Sequence, residues 1–403
     1  MNGPPRPSRD CAICGGTDRE HVYSQRFVPI EGACLMDGYD VVVCKGCGFG
    51  YADGIPDQAA FDAYYRDLSK YEPNATSSVS ARDDARFEEV AGVIAGFVPR
   101  EARILEIGCA SGALLGILRR AGFRNVVGID PSPACADAAN RLHGVPVTVG
   151  SLFSAIIPES SFDVVVTLGV LEHIRDLARA MARISSLLTD EGAILSGVPD
   201  ATRLAAFPDA PFQEFSVEHI NFFSLSSLSN LLAGFGFRRL WADQRSVSMG
   251  GGAAEPVIYD VSRRQRDLPA THAGFDASTE SGLAEYVRHC LEMDRDLRQR
   301  IDRLASNPKP LMIWGVGTHT QRLLANTRLG DARIVAFIDS NPHYHGKTLM
   351  GIPIISPEAA REHPEPILIS SRASQAAIVR QIRDDLRLPN ELLTLYDLPD
   401  SLL

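Results

Sequence analysis

From residue 102 to about 245, short and nearly continuous apolar runs alternate with longer stretches of helical spacing. "ARILEIG", "NVVGID", "PVTVG", "FDVVVTLG" and "GAILSGVP" are Val- and Ile-rich runs of strand length. Between them, "SGALLGILRRAG", "PACADAANRLHG" and "LARAMARISSLL" repeat apolar residues every three or four positions. Strands that are apolar on both faces and alternate with helices predict a doubly wound parallel sheet, so the fold class is α/β. "FSLSSLSNLLAGFGF" adds a helix with a glycine stop, and "RRLWADQ" adds a strand. A second alternation starts at 309 with "KPLMIWGVG", "RIVAFIDSN", "IPIIS" and "PILIS", and predicts a smaller α/β unit. Residues 246–279 read as a loop-rich crossing. After them, "ESGLAEYVRHCLEMDRDLRQRIDRL" sets Leu283, Val287, Leu291, Leu297, Ile301 and Leu304 near one face of a long helix. The expected division is a small module over 1–60, a helical connection over 61–100, the main α/β domain over 101–245, a linker and long helix over 246–305, and the second α/β unit over 306–403.

Composition narrows the class. At 45% hydrophobic and 22% charged, the 403-residue chain has the profile of a folded protein with a sizeable core. No apolar run reaches the ~18 residues of a bilayer helix, and "MNGPPRPSRD" lacks the apolar stretch of a secretory signal, so a cytoplasmic address is expected. A net charge of -10 without a basic stripe argues against nucleic acid or membrane as a partner.

Four of the eight cysteines form two C-x-x-C pairs, Cys11 with Cys14 in "CAICGG" and Cys44 with Cys47 in "CKGCGF". Two such knuckles can set four thiolates around one tetrahedral zinc, and the glycine behind each pair permits the tight turn. With all four positions filled by protein, that zinc would be structural. The alternative is unrelated thiols or a redox pair.

"ILEIGCASGALL" ends a strand and opens a helix, with Glu106, Gly108 and Gly112 at the turn, and Asp130 closes the next strand. Glycines let a ligand approach the backbone at the strand's carboxyl end, and an acid on the next strand can accept both ribose hydroxyls. Ala110 stands at the second glycine position and no glycine occupies the third, so the set fits S-adenosylmethionine, which has no pyrophosphate to cradle, better than a dinucleotide. Cys109 and Pro131 share these turns. Leu168 and Gly169 in "FDVVVTLGVLEHIRD" are expected along the methionine end, and Leu152 and Phe153 beside the adenine; the plain alternative makes them core. His173 reads as a helix-start residue.

In "FQEFSVEHINFFS", Glu218 and His219 stand among aromatic residues. An imidazole is suited to taking a proton near neutral pH, and a neighbouring carboxylate can orient it. The expectation is His219 as base and Glu218 as its partner, in a pocket walled by Phe222 and Phe223; the alternative is a polar turn before a helix capped by Ser224.

Together, the knuckles, the central alternation and the last unit resemble the three-part, zinc-containing sugar C-methyltransferases, within the class I S-adenosylmethionine-dependent superfamily. The resemblance covers nearly the whole chain. It implies a zinc-binding N-terminal domain, a Rossmann-like methyltransferase sheet and a smaller Rossmann-like C-terminal domain, acting on a nucleotide-linked deoxyketosugar in carbohydrate or secondary-metabolite biosynthesis. The family's Tyr-His-Glu-His run corresponds to Ser216, Val217, Glu218 and His219, so only Glu-His is kept. The resemblance also implies that Tyr71 helps receive the sugar, to which the pocket-wall reading adds Phe222, and that Gly315, Gly317, Thr318, His319 and Asp339 form a surface for the nucleotide. Sugar O-methylation, a non-catalytic protein with a vestigial cofactor site, and an NAD(P)-dependent enzyme remain as alternative readings.

Overall fold

The computed structural model describes residues 8–33, 35–67, 81–207, 210–250, 253–265 and 274–397. In chain order the first elements are β1 (Arg19–Arg26), β2 (Gly38–Cys44), β3 (Gly50–Asp53), α1 (Gln58–Asp67) and α2 (Ala81–Phe97). The main unit continues with β4 (Arg103–Ile107), α3 (Ala113–Arg120), β5 (Asn125–Asp130), α4 (Pro133–His143), β6 (Val147–Val149), β7 (Phe162–Leu168), α5 (Leu177–Leu187), β8 (Leu188–Pro199), β9 (Asn221–Phe222), α6 (Leu225–Gly234), β10 (Phe237–Gly250) and β11 (Ala253–Arg264). The chain then runs through α7 (Thr279–Ala305), β12 (Leu311–Trp314), α8 (Thr318–Asn326), β13 (Ile334–Ile338), β14 (Thr348–Leu349), β15 (Ile352–Ile355), β16 (Ile367–Ile369), α9 (Gln375–Arg380) and β17 (Leu392–Thr394).

The central sheet has the order β10-β11-β8-β7-β4-β5-β6. Strands β4 to β8 are parallel, and β11 enters antiparallel between β8 and β10. Strand order reverses between β4 and β7, so the crevice beyond their carboxyl ends is where such a sheet receives a ligand. The local chemistry explains the helices around it. Ser132 caps α4 by accepting from Cys135 N, Pro133 follows, and Gly144 closes the helix in the left-handed region at φ 64°. Ser224 caps α6 in a reciprocal box with Ser227, the cap that the alternative reading of this segment named.

Two expectations need correction. Residues 246–250 and 253–264 are strand and not loop: β10 extends to Gly250 and β11 runs from Ala253 to Arg264. The glycine cluster "GGG" masked two strands whose alternation, as in "VIYDVS", was short. On α7 the buried face is Leu283, Tyr286, Cys290, Asp294, Leu297 and Ile301, whereas Leu291 is exposed. A buried acid interrupted the apolar stripe; Asp294 is accommodated because Arg322 of α8 meets both its oxygens, at 2.7 and 3.0 Å.

The N-terminal sheet has the order β1-β2-β3-β9, so its fourth strand comes from the stretch after the main sheet's β8. Phe222 pairs with Gly50 and Asn221 with Tyr51. The apolar core beneath joins Tyr39, Val41 and Phe61 to Phe212, Phe215, Phe222 and the α7 residues Leu283 and Tyr286. The third sheet, β14-β15-β13-β12-β16-β17, has a parallel run from β15 to β17 with its own reversal between β12 and β16. It packs on the far half of α7 through Leu297 and Ile301.

Gly48, behind the second cysteine pair, has φ 80°, and a Cβ there would stand 2.0 Å from the Asp276 carbonyl oxygen. Gly48→Ala is therefore expected to lower stability by about 2 kcal/mol or more, read as a drop in the thermal midpoint.

Candidate active site

The loop after β4 turns through three left-handed residues, Gly108 (φ 68°), Ala110 (φ 44°) and Gly112 (φ 73°). Gly108 is favoured by its φ, and a Cβ there would also press on Val170 Cγ2, 3.0 Å away across the reversal point. Asp130 fixes the loop: its Oδ2 accepts from Ala110 N at 2.8 Å and its Oδ1 from Ser132 N at 2.9 Å. Glu106 is buried and its Oε2 has no hydrogen-bond partner among the described residues. Burial, and then the charge of Asp130, push its carboxyl well above the usual range. The donor set fits S-adenosylmethionine: an arriving ammonium would give the orphaned Glu106 oxygen a partner, and Asp130 retains lone pairs for ribose hydroxyls.

The other predicted cofactor residues divide. Gly169 (φ 64°) and Leu168 end β7 at the crevice, opposite Gly108. Cys109 offers only its backbone, since its thiol packs where a Cβ on Gly128 would stand, 2.4 Å away. Pro131 lies half-buried beside Asp130. Phe153 is half-buried under the Arg179 guanidinium, 4.4 Å from the ring centre. Leu152 is a correction, for it is 6% exposed and belongs to the apolar core.

Beyond β7 the chain makes a single turn, Leu171–His173, and this turn meets the segment carrying His219. Ile220 N donates to Glu172 O at 2.9 Å, and Asn221 Nδ2 donates to Leu171 O and Ile174 O. The rings of His173 and His219 stand edge to face at 4.9 Å, and a polar atom each from Glu172, His173 and His219 lie within 4.8 Å of one another. Helix α1 brings two phenols. Tyr65 OH and the Glu218 carbonyl both lie 3.0 Å from His173 Nδ1, while Tyr64 OH donates to Glu218 Oε1 at 3.2 Å.

This geometry corrects the expected pairing. The carboxylate beside His219 is Glu214, with Oε2 3.2 Å from Nδ1, whereas Glu218 is turned to Tyr64. Adjacent side chains point apart in strands and do not face each other in helices, and here a turn in which Ser216 Oγ accepts from Glu218 N and His219 N folds Glu214 back to the imidazole. Burial by itself would depress the His219 imidazole, but Glu214, with Glu172 and Glu255 farther off, pushes it up to about 9. Burial raises Glu172 to about 7, and its Oε2 is unpartnered among the described residues. Phe222 and Phe223 are also corrected: both are buried in apolar cores, Phe222 edge-on to Phe215 and Phe223 against Phe49, and they do not wall the site. Tyr71 lies outside the described residues. Glu172, His173, Tyr64, Tyr65 and Glu214 were missed as site residues; the adjacent tyrosines of "FDAYYRD" were the one local signal.

At the N-terminus, Cys11 Sγ lies 3.5 Å from Cys47 Sγ and Cys14 Sγ 3.5 Å from Cys44 Sγ, with all four sulfurs within 4.8 Å. A tetrahedron with Zn–S of about 2.3 Å has edges of about 3.8 Å, so these four residues can hold a zinc ion without rearrangement. Gly15 and Gly48 are left-handed, as the turn behind each pair requires.

In the third sheet, Gly315 (φ 101°) follows β12, and Asp339 Oδ2 accepts from Val316 N at 2.9 Å while its Oδ1 accepts from Asn341 N at 2.8 Å. Gly317 and Thr318 open α8, and His319 Nε2 meets Tyr396 OH at 2.7 Å. The five predicted residues thus gather around one strand-to-helix turn, with the same acid-to-loop latch as Asp130.

A family model described as "Methyltransferase domain" matches residues 82–240, and one described as "C2185-like, N-terminal" matches residues 308–391. An uncharacterized 37.1 kDa protein of a Streptomyces fradiae transposon is 28% identical over 51% of this chain and 58% of its own length. A probable S-adenosylmethionine-dependent methyltransferase of Mycolicibacterium smegmatis is 29% identical over 38% of this chain and 57% of its own. A ubiquinone biosynthesis O-methyltransferase of Rhodopseudomonas palustris is 34% identical over 23% and 38%. The chain thus spans under two thirds of the length of these curated relatives. Among solved structures, a Burkholderia thailandensis 1,6-didemethyltoxoflavin-N1-methyltransferase is similar at 19% identity and TM-score 0.41, over 56% of this chain and 96% of that one. The family match and the crevice built by Gly108, Asp130 and Gly169 agree: residues 82–240 are a class I S-adenosylmethionine-dependent methyltransferase domain.

Proposed function

We propose that the whole chain transfers a methyl group from S-adenosylmethionine to a carbon of a nucleotide-linked deoxyketosugar, next to its ketone. The observation that carries this reading is the set of proton-handling side chains, His219, His173, Glu172, Tyr64 and Tyr65, gathered at the turn after β7, where an acceptor would meet the donor. Bound S-adenosylmethionine supplies an electrophilic methyl group, and its transfer is an in-line displacement in which alignment provides much of the acceleration. The chain's own work is to hold and deprotonate the acceptor. His219 takes the proton next to the ketone at Nε2, and the hydroxyls of Tyr64 and Tyr65, with Glu218, bind the sugar's oxygens. The two tyrosines of α1 stand in for the Tyr and His that the 216–219 run lacks.

Zinc at Cys11, Cys14, Cys44 and Cys47 is proposed to be structural, since four thiolates leave no open position. The turn with Gly315, Gly317, Thr318, His319 and Asp339 is proposed to hold the nucleotide; its support is the latch it shares with the Asp130 turn. Oxygen as the methylated atom is the second reading, favoured by the O-methyltransferase among the relatives. Solvent deuterium decides between them: a ketosugar incubated with the protein and S-adenosylhomocysteine in D2O gains deuterium beside its carbonyl if carbon is activated, and none if the chain methylates a hydroxyl.

Asp130→Ala is expected to weaken S-adenosylhomocysteine binding about 10- to 100-fold, the worth of charge-assisted hydrogen bonds to a ribose, as read by titration calorimetry.

A further inference from the structure

We infer that Glu214 is the positioning residue of His219, the carboxylate that selects the ring's tautomer and orientation so that Nε2 is presented to the acceptor. The inference rests on the acceptor-deprotonation reading above and assigns a role to a side chain which that reading leaves without one. A carboxylate only accepts, so the 3.2 Å contact of Glu214 Oε2 with Nδ1 places the ring proton on Nδ1 and leaves Nε2 as the basic nitrogen of the neutral form. The same division of labour operates wherever an acid-histidine pair activates a proton donor.

The placement of Glu214 is built rather than incidental. Its backbone N donates to Tyr286 OH at 3.0 Å, and two residues earlier Phe212 N donates to Cys290 Sγ at 3.1 Å, so α7 holds this stretch twice. Phe212 has φ 58°, a left-handed conformation that a bulky aromatic residue rarely adopts. It is held there by stacking on Tyr23, with ring centres 4.5 Å apart, and by the Arg322 guanidinium 5.1 Å from its ring. Backbone strain persists only where the surroundings over-determine it, and such strain concentrates at functional sites. The turn that follows, closed by Ser216 Oγ, brings His219 back over Glu214.

Other titratable groups face the same imidazole, Glu172 and His173 from the turn after β7 and Glu255 from β11, while Glu218, beside it in sequence, is turned to Tyr64. The test must therefore separate Glu214 from these. The full-length chain, labelled in its histidine rings and saturated with S-adenosylhomocysteine, is titrated by NMR; the His219 signal among the ten histidines is the one lost in His219→Gln. Glu214→Gln keeps the size but removes the charge, and its amide can donate to Nδ1 and move the ring proton to Nε2. The His219 midpoint is expected to fall by about one pH unit or more in Glu214→Gln, and by less in Glu214→Asp. In Glu218→Gln it stays near the wild-type value. Turnover with a ketosugar should show kcat reduced about 10- to 100-fold in Glu214→Gln with KM little changed, and the limb of the pH–rate profile moved to lower pH. A Glu214→Gln midpoint equal to wild type, or a larger displacement in Glu218→Gln, overturns the inference. If the Gln variant does not fold, a Glu214→Asp midpoint equal to wild type does the same. Absence of S-adenosylhomocysteine binding in the wild type would instead contradict the transferase reading, while the His219 titration, repeated without that ligand, still decides the role of Glu214.

Discussion

His219→Ala is expected to lower kcat for methyl transfer by about 10²–10⁴-fold, the usual worth of a positioned general base, while leaving S-adenosylhomocysteine affinity within about twofold. The separation follows from the architecture. The cofactor crevice is made by the turns after β4, β5 and β7, whereas His219 is carried by a segment that pairs with the N-terminal sheet. The pH dependence has a definite sign. An imidazole pushed up to about 9 is protonated at neutral pH, so the rate rises with pH until the ring is neutral, and His219→Ala removes that limb. Stability runs the opposite way. A histidine whose folded value exceeds its unfolded value of about 6.5 stabilises the fold fully below pH 6.5, and this contribution is lost as pH climbs through about 9. Thermal midpoints of wild type and His219→Ala should therefore converge toward pH 9, apart from the constant cost of the lost ring. A His219→Ala variant with wild-type turnover would remove this residue from the mechanism.

Cys44→Ser is expected to abolish zinc retention and to unfold the N-terminal sheet. Structural zinc contributes on the order of 10 kcal/mol to a small module at neutral pH, comparable to a domain's whole stability. The damage should extend to the active site. Gly50 and Tyr51, just past the second knuckle, pair with β9, Ala52 N donates to Ile220 O, and the buried Arg9 guanidinium donates to Ile220 O and Asn221 Oδ1. Losing the knuckles frees the strand next to His219. Hydrogen exchange should thus rise over residues 38–53 and 220–222, while the parallel strands β4, β5 and β7 keep their protection and S-adenosylhomocysteine still binds. Elemental analysis of the wild type should find about one zinc per chain. A wild type without zinc, or a Cys44→Ser variant with unchanged exchange at 220–222, would contradict this coupling.

The parts of the molecule that were legible in the sequence are those governed by local rules. The parallel strands are apolar on both faces, and Gly108, Gly112 and Asp130 lie in register at consecutive strand ends. The illegible parts depend on contacts between distant residues. Strand β11 reads poorly by itself because its partner β8 supplies the burial. Glu214 meets His219 only because a strained Phe212 and a Ser216 turn fold the segment back. Tyr64 and Tyr65 reach the site from a helix far upstream of the residues they meet, at a sequence separation of 154 for Tyr64 and Glu218 and of 108 for Tyr65 and His173. Leu152, Phe222 and Phe223 show the converse: an apolar residue beside a motif belongs to the core unless space demands otherwise.

The most direct test is a crystal structure of the chain with S-adenosylhomocysteine. The predicted result is ligand in the crevice between Gly108 and Gly169, with ribose hydroxyls on Asp130, the amino group near Glu106 and the sulfur directed toward Glu172 and His219. Ligand bound instead at the Gly315 turn, or a crevice left closed by the chain's own side chains at millimolar ligand, would contradict it.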